Sequence, residues 1–213
     1  MELIQKDLHR YSEAHTSPEN ELLQLINRQT HADVLRSQML SGHLQGRLLS
    51  MVSHMVQPKI ILEIGTYTGY SALCMAEGLK PDGKLITLDI NEELEGRVRE
   101  YFSRSEFASR IDYRIGNALE LIPQLTERFD LVFIDADKEN YSRYYDLVIN
   151  RVNLNGFILA DNVLRSGKVL DEKPDKDTRA ILEFNSKVHR DERVENLLLP
   201  VRDGIMVVRK VKA

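Results

Sequence analysis

From Lys59 onward the chain alternates short apolar, β-branched runs with amphipathic segments. "KIILEIG" reads as a strand closed by glycine and "YSALCMAEGL" as a helix. "GKLITLDI" is a second strand followed by the helix "EELEGRVREYFSRS". "RIDYRIG" is a third strand, with a short helix over Ala118 to Leu125. "FDLVFID", the helix "KENYSRYYDLVINRV" and the strand "GFILADN" follow. This alternation constrains the fold more than any other feature. Strands separated by helices form a mostly parallel sheet with helices on both faces. After a polar loop, "VLRSGKVLDEKPDKDT", and a helix, "RAILEFNSKVHRD", the runs "RVENLLLPV" and "GIMVVRKVK" meet near Asp203-Gly204. They predict an antiparallel hairpin at the end of a seven-stranded α/β sheet. In such sheets ligands sit beyond the carboxyl ends of the strands, near the point where strand order reverses.

Ahead of the sheet the pattern is helical. "SPENELLQLINRQTHADVL" offers Ser17 as N-cap, Pro18 in the first turn, and Glu19 and Glu21 where the helix dipole favours acids. A second helix fits Leu44 to Val56. Its apolar residues Leu44, Leu48, Leu49, Met51, Val52, Met55 and Val56 form a broad face, and Pro58 ends it. With 213 residues, one domain is expected over 1–213: a helical extension over 1–57 and the sheet core over 58–213. A formal net charge of −4 advertises no global affinity for polyanions. No apolar run approaches the roughly 20 residues that span a bilayer, and "MELIQKDLHRYSEAH" lacks a signal-peptide core. The lone Cys74 excludes an internal disulfide and reads as a small core residue. A cytoplasmic protein without membrane partners is expected.

The strand ends carry the chemistry. The first ends in "EIGTYTGYS", which sets Glu63 just ahead of a glycine turn with Gly65, Gly69 and Ser71. Glycine lets the backbone turn sharply and approach a ligand. A carboxylate at that turn repels a pyrophosphate and suits a cationic amine. Asp89 closes the second strand, where an acid accepts ribose hydroxyls. Together they suit a nucleoside bearing a cation and no phosphate, which describes S-adenosylmethionine; a purely structural glycine turn is the alternative.

The fourth strand ends in Asp135, followed by Asp137 and Lys138, and the fifth in Asp161-Asn162. If the first, fourth and fifth strands are neighbours, Asp135, Asp161 and Asn162 converge as an oxygen-only set. That set suits Mg²⁺, or else Ca²⁺ or Mn²⁺, rather than zinc. Asx residues also cap and turn chains after strands, which is the plainer role for either end alone. Lys138 opens a helix, where its charge is mildly unfavourable with the dipole. Beside a cation and partly desolvated, it is placed as a general base.

"LEIGTYTGYS", "LDIN", "DLVFIDADKENYSRYY", "ILADN" and "LPVRDGI" together resemble the cation-dependent O-methyltransferases, the group of the plant caffeoyl-CoA enzymes, their bacterial relatives and, more distantly, catechol O-methyltransferase. The resemblance runs from about Met39 to the end. It implies a Rossmann-like methyltransferase fold. It also implies that Glu63 and Ser71 hold the amino-acid end of S-adenosylmethionine, and that Gly65 and Thr66 give close backbone contact. Asp89 would bind the ribose, Ala118 would lie at the adenine, and Ser41, Asp137 and Tyr144 would complete the pocket. Asp135, Asp161 and Asn162 would be metal ligands and Lys138 the base; Tyr67 would lie near the sulfonium or simply pack.

The chain departs from the plant pattern at Arg165 and Ser166, where plant enzymes tend to show Trp and Asn, and at Arg202, where glycine is common. The acceptor is therefore left open. A phenolic small molecule with vicinal oxygens is the leading expectation. A hydroxylated uridine in transfer RNA is the alternative, with Arg36, Arg47, Arg165, Lys168, Lys173 and Lys176 as a basic rim. The resemblance further implies a homodimer, with the helical N-terminus and the loop after Asn162 helping to form the interface and the acceptor pocket.

Overall fold

The computed structural model describes residues 5–213; residues 1–4, part of the stretch read above for a signal-peptide core, lie outside the described residues. The strands are β1 (Ile60–Ile64), β2 (Lys84–Asp89), β3 (Ile111–Ile115), β4 (Phe129–Ile134), β5 (Val152–Asp161), β6 (Val194–Leu199) and β7 (Ile205–Lys210). They hydrogen-bond in the order β3-β2-β1-β4-β5-β7-β6. The first five are parallel, β7 runs antiparallel to β5, and β6 runs antiparallel to β7. This is the predicted seven-stranded, mostly parallel sheet with a terminal antiparallel hairpin. Order reverses between β1 and β4. The register pairs Ile64 with both Leu88 and Ile134, and Ile134 with Ala160. Gly65, Asp89, Asp135 and Asp161 therefore lie at the same edge of the sheet.

The helices are α1 (Lys6–Ala14), α2 (Glu21–Asp33), α3 (Gly42–Val56), α4 (Tyr70–Ala76), α5 (Glu95–Ser103), α6 (Ala118–Leu121), α7 (Tyr141–Ile149) and α8 (Lys176–Arg190). A strand covered on both faces is apolar on both, as β4 is. One face of the sheet packs on Tyr141, Tyr145 and Val148 of α7 and Ile181, Phe184 and Val188 of α8. The other packs on Leu23 and Ile26 of α2, Leu49 of α3, Tyr70 and Leu73 of α4, and Phe102 of α5. Among the described residues no helix is long and apolar enough to cross a membrane.

Two N-terminal expectations need correction. Helix α2 is capped by Asn20 and not by Ser17: the Asn20 side chain accepts from Leu23 N at 2.9 Å. The Ser17 carbonyl is engaged by the His43 ring at 2.7 Å, and Ser17 and Pro18 lie outside the helix. Helix α3 ends as expected before Pro58, with Gln57 left-handed at φ 51°. Of the predicted apolar face, Leu49 is buried in the core and Leu48, Val52 and Val56 pack against it, and the small and polar residues Gln45, Gly46, Ser50 and Ser53 are buried beside them. Met51 and Met55 of the predicted apolar face are 58% and 75% exposed. Close packing selects that face. A Cβ on Gly46 would lie 2.6 Å from the Tyr70 ring and 2.9 Å from Cys74 Sγ, so only glycine lets α3 settle against α4. Cys74 is buried there, as expected.

Smaller shifts follow from local pairing. Strand β5 begins at Val152 rather than Gly156, because Val152 pairs with Phe129. Helix α8 begins at Lys176, where Asp175 accepts from Thr178 N at 2.8 Å. The loop after Asn162 holds a 3-10 segment, Arg165–Leu170, interrupted by left-handed Ser166 and Gly167.

Candidate active site

Glu63 sits in β1 with no exposed surface. Its two oxygens accept hydrogen bonds from Ser71 Oγ and Thr87 Oγ1, each at 2.5 Å. Burial pushes its carboxyl up to about 8; the two hydroxyls pull the other way, and the charges of Asp135 and Asp89 add to the rise. Thr66, also buried, shares a 2.5 Å bond with Thr87 Oγ1. Gly65 turns the chain at φ 102°, and a Cβ there would lie 2.1 Å from the Asp135 carbonyl oxygen. Gly69, at φ 80°, precedes α4 and brings Ser71 back under Glu63.

Asp89 ends β2 with both oxygens facing backbone donors, Tyr67 N at 2.6 Å and Asn91 N at 2.8 Å. Glu63, Gly65, Thr66, Ser71 and Asp89 thus gather at one end of β1 and β2. Ala118 lies nearly buried at the start of α6, which Asn117 caps through Leu119 N at 3.0 Å. Tyr67 turns its hydroxyl to the Leu35 and Arg36 carbonyls, at 3.2 and 3.3 Å.

The second cluster lies at the ends of β4 and β5. Lys138 Nζ donates to Asp135 Oδ1 at 3.0 Å and to the Tyr141 hydroxyl at 2.7 Å. Its side chain is only 13% exposed, which separates it from an ordinary solvated lysine. The Tyr141 hydroxyl in turn points to the carbonyls of Asp161 at 3.0 Å and Ile134 at 3.3 Å. Asp161 is buried, with Oδ1 accepting from Asn162 N and Oδ2 from Gln45 Nε2, both at 2.7 Å. Burial, then the like charge of Asp135, pushes the Asp161 carboxyl up to about 6, while Gln45 and Lys138 oppose the rise. Asn162 is held left-handed at φ 59°.

Asp137 and Tyr144 meet directly: the phenol donates to Asp137 Oδ1 at 2.5 Å, and Asn140 Nδ2 holds Oδ2 at 2.5 Å. Burial, then that hydrogen bond, holds the Tyr144 phenol well above its ordinary value. Ser41 lies buried just before α3, and its carbonyl accepts from the Arg202 guanidinium.

Comparison with known proteins bears on this geometry. Residues 13–211 match the family described as O-methyltransferase. A caffeoyl-CoA O-methyltransferase of Eucalyptus gunnii is 36% identical over 181 residues, covering 79% of this chain and 72% of that protein. Among solved structures, the SAH-bound methyltransferase of Podospora anserina superposes with a TM-score of 0.89 at 28% identity, covering 96% of this chain and 94% of that one. The Bacillus cereus O-methyltransferase in complex with SAH gives a TM-score of 0.89 at 28% identity, covering 96% and 97%.

The chain belongs to the O-methyltransferase family.

Three residues of this O-methyltransferase's polar clusters, Thr87, Tyr141 and Gln45, were not singled out from sequence, and a fourth, Arg202, was noted only as a departure. Thr87 and Tyr141 are buried partners of Glu63 and Lys138. Gln45 touches Asp161, and Arg202 touches Gln45 at 2.8 Å. Only Arg202 carried a sequence signal, as a departure from glycine. The basic rim is largely neutralised: four of its six residues are ion-paired, Arg47 with Glu77, Arg165 with Asp177, Lys168 with Asp175 and Lys176 with Glu139.

Proposed function

We propose that this O-methyltransferase transfers a methyl group from S-adenosylmethionine to a hydroxyl of a catechol-like phenol, with Lys138 as general base beside a divalent cation. The observation that carries the reading is the contact of Lys138 with both Asp135 and Tyr141 at the switch point of the sheet.

S-adenosylmethionine supplies an electrophilic methyl on a sulfonium. Glu63 would face its cationic amine, with Ser71 and Thr87 holding the carboxylate in place. Asp89, fixed through both oxygens, would take the ribose hydroxyls. Asp137, clamped by Tyr144 and Asn140, and Ala118 and Ser41 would close the pocket. The SAH-bound relatives support this half of the site.

Among the described residues no group of three or more His, Cys, Asp and Glu gathers as a metal cage. The set offered is two carboxylates and one amide, a hard oxygen set in keeping with Mg²⁺. The residues fit such an ion: the like charge of Asp135 raises the buried Asp161 carboxyl, and positive charge between them would offset that repulsion. Asp135, Asp161 and Asn162 would hold it. A divalent ion there would orient vicinal oxygens and lower the pKa of a phenol from about 10. Lys138, held by Asp135 and Tyr141, would accept the phenolic proton as the neutral amine, having first lost a proton to solvent. Asp161 is buried and Lys138 only 13% exposed, and this partial desolvation strengthens the charges there.

A small-molecule acceptor is supported by the relatives named for caffeoyl-CoA and by the neutralised basic rim; transfer RNA gains no support. A homodimer belongs to this reading, with the exposed Met51 and Met55 of α3 available for contact. The test is methyl transfer from labelled S-adenosylmethionine to a catechol panel, with Mg²⁺ and with EDTA. Metal-dependent label in a catechol is expected. Equal turnover in EDTA would remove the metal reading, and label only in transfer RNA would overturn the acceptor class.

A further inference from the structure

We propose that Gln45 and Arg202 are positioning residues that set the orientation of the Asp161 carboxylate; the inference rests on the reading of Asp161 as a metal ligand. Gln45 has no exposed surface. Its Nε2 donates to Asp161 Oδ2 at 2.7 Å, and its Oε1 accepts from Arg202 Nη1 at 2.8 Å. A guanidinium only donates and a carboxylate only accepts. An amide between them satisfies both in one orientation alone, so the arginine dictates which end of Gln45 meets Asp161.

The carboxylate is then held from two sides, by Gln45 on Oδ2 and by its neighbour's amide, Asn162 N, on Oδ1 at 2.7 Å. Each oxygen keeps a further lone pair for another partner. A ligand held at both oxygens needs no reorientation when a cation arrives. Outer partners of this kind set metal affinity without touching the metal.

Arg202 is itself anchored. It donates to the Leu40 carbonyl at 3.2 Å and to the Ser41 carbonyl. Ser41 precedes Gln45 by about one helical turn. Arg202 sits at φ 50°, in the left-handed region where a side chain is disfavoured. Such a residue persists where its surroundings over-determine it. Here three acceptors on one guanidinium supply that constraint.

The experiment measures Mn²⁺ binding calorimetrically to the intact protein saturated with S-adenosylhomocysteine. Wild type, Gln45→Leu, Arg202→Gly and Asp161→Asn are compared, with melting temperature and S-adenosylhomocysteine affinity recorded for each. Gln45→Leu is expected to weaken Mn²⁺ by roughly 10–100-fold with S-adenosylhomocysteine affinity nearly unchanged. Saturating metal should restore its kcat, so the defect appears as a raised metal requirement. Arg202→Gly should weaken Mn²⁺ in the same direction with little loss of melting temperature, since glycine suits that backbone. Arg202→Lys, a donor-only replacement, should recover part of the affinity. If Gln45→Leu does not fold, Arg202→Gly carries the test. Unchanged Mn²⁺ affinity in the folded variants, with Asp161→Asn defective, would overturn the inference alone. No Mn²⁺ binding by wild type would overturn the metal reading and the inference with it.

Discussion

Gly65 and Asp135 approach so closely that a Cβ on the glycine would lie 2.1 Å from the Asp135 carbonyl oxygen. The two residues follow the adjacent ends of β1 and β4, one at the cofactor-side turn and the other in the acid–lysine cluster. Gly65 is also left-handed, at φ 102°. Gly65→Ala therefore combines a backbone clash with a strained conformation, each costing about 1–3 kcal/mol. A large drop in melting temperature and loss of methyl transfer are expected. Gly167→Ala is the control: it is left-handed too, at φ 85°, but no atom lies within 4 Å of its Cβ. It should cost only about 1–2 kcal/mol. Similar losses in both variants would show that the close approach to Asp135 does not matter.

If Glu63 faces the cofactor amine as proposed, ligand binding should depend on pH. Its carboxyl is pushed up from an ordinary 4.5 to about 8, first by burial. A cationic ligand amine favours the ionised form, so binding below about pH 8 must release a proton. S-adenosylhomocysteine affinity should therefore fall as pH drops below 8, by up to about tenfold per unit. Stability moves the opposite way. The folded state binds the proton more tightly than the unfolded state, so this contribution is complete below pH 4.5 and is lost as pH rises through about 8. Glu63→Gln should flatten both dependences. Titration calorimetry and thermal melts between pH 6 and 9 check them, and a wild-type affinity flat across that range would refute the assignment.

The parts of this site that were legible in the sequence are those that end strands. Asp89, Asp135 and Asp161 each close an apolar run, and a parallel sheet brings such ends to one edge whatever else the chain does. Gln45 was illegible for the converse reason. On a helix, a polar residue beside Gly46 and Ser50 reads as solvent-facing, yet the fit of Gly46 against Tyr70, together with the burial of Leu49, turns that stripe inward. Thr87 reads as an ordinary β-branched strand residue, and its bond to Glu63 depends on β1 and β2 pairing Glu63 with Thr87. Ser17 and Asn20 are both good caps three residues apart. The structure uses Asn20, whose side chain accepts from Leu23 N, while the Ser17 carbonyl meets His43, remote in sequence.

Lys138 separates charge from proton transfer. Lys138→Arg would keep a cation beside Asp135, yet a guanidinium does not give up its proton at ordinary pH. Lys138→Met would remove both. If the lysine takes the phenolic proton, both variants should lose about 10²–10⁴-fold in kcat while S-adenosylhomocysteine binds normally. If it serves only to pair with Asp135, at 3.0 Å, the arginine variant should stay close to wild type. Single-turnover methyl transfer to a catechol decides between the two.

The outward face of α3 predicts the state of assembly. Met51 and Met55 lie one turn apart and are 58% and 75% exposed, while Leu48, Leu49, Val52 and Val56 of the same helix pack on the core. If the protein pairs through this helix, as proposed, a two-fold arrangement places Met51 and Met55 of two copies face to face. A charge introduced there is then buried twice in each dimer. Met51→Lys combined with Met55→Lys should convert a dimer to monomers in light scattering at micromolar concentration. The monomer's melting temperature should depend little on the substitution, because neither side chain packs in the core. A wild-type protein that is already monomeric under those conditions would remove the assembly reading and leave the apolar face to some other contact.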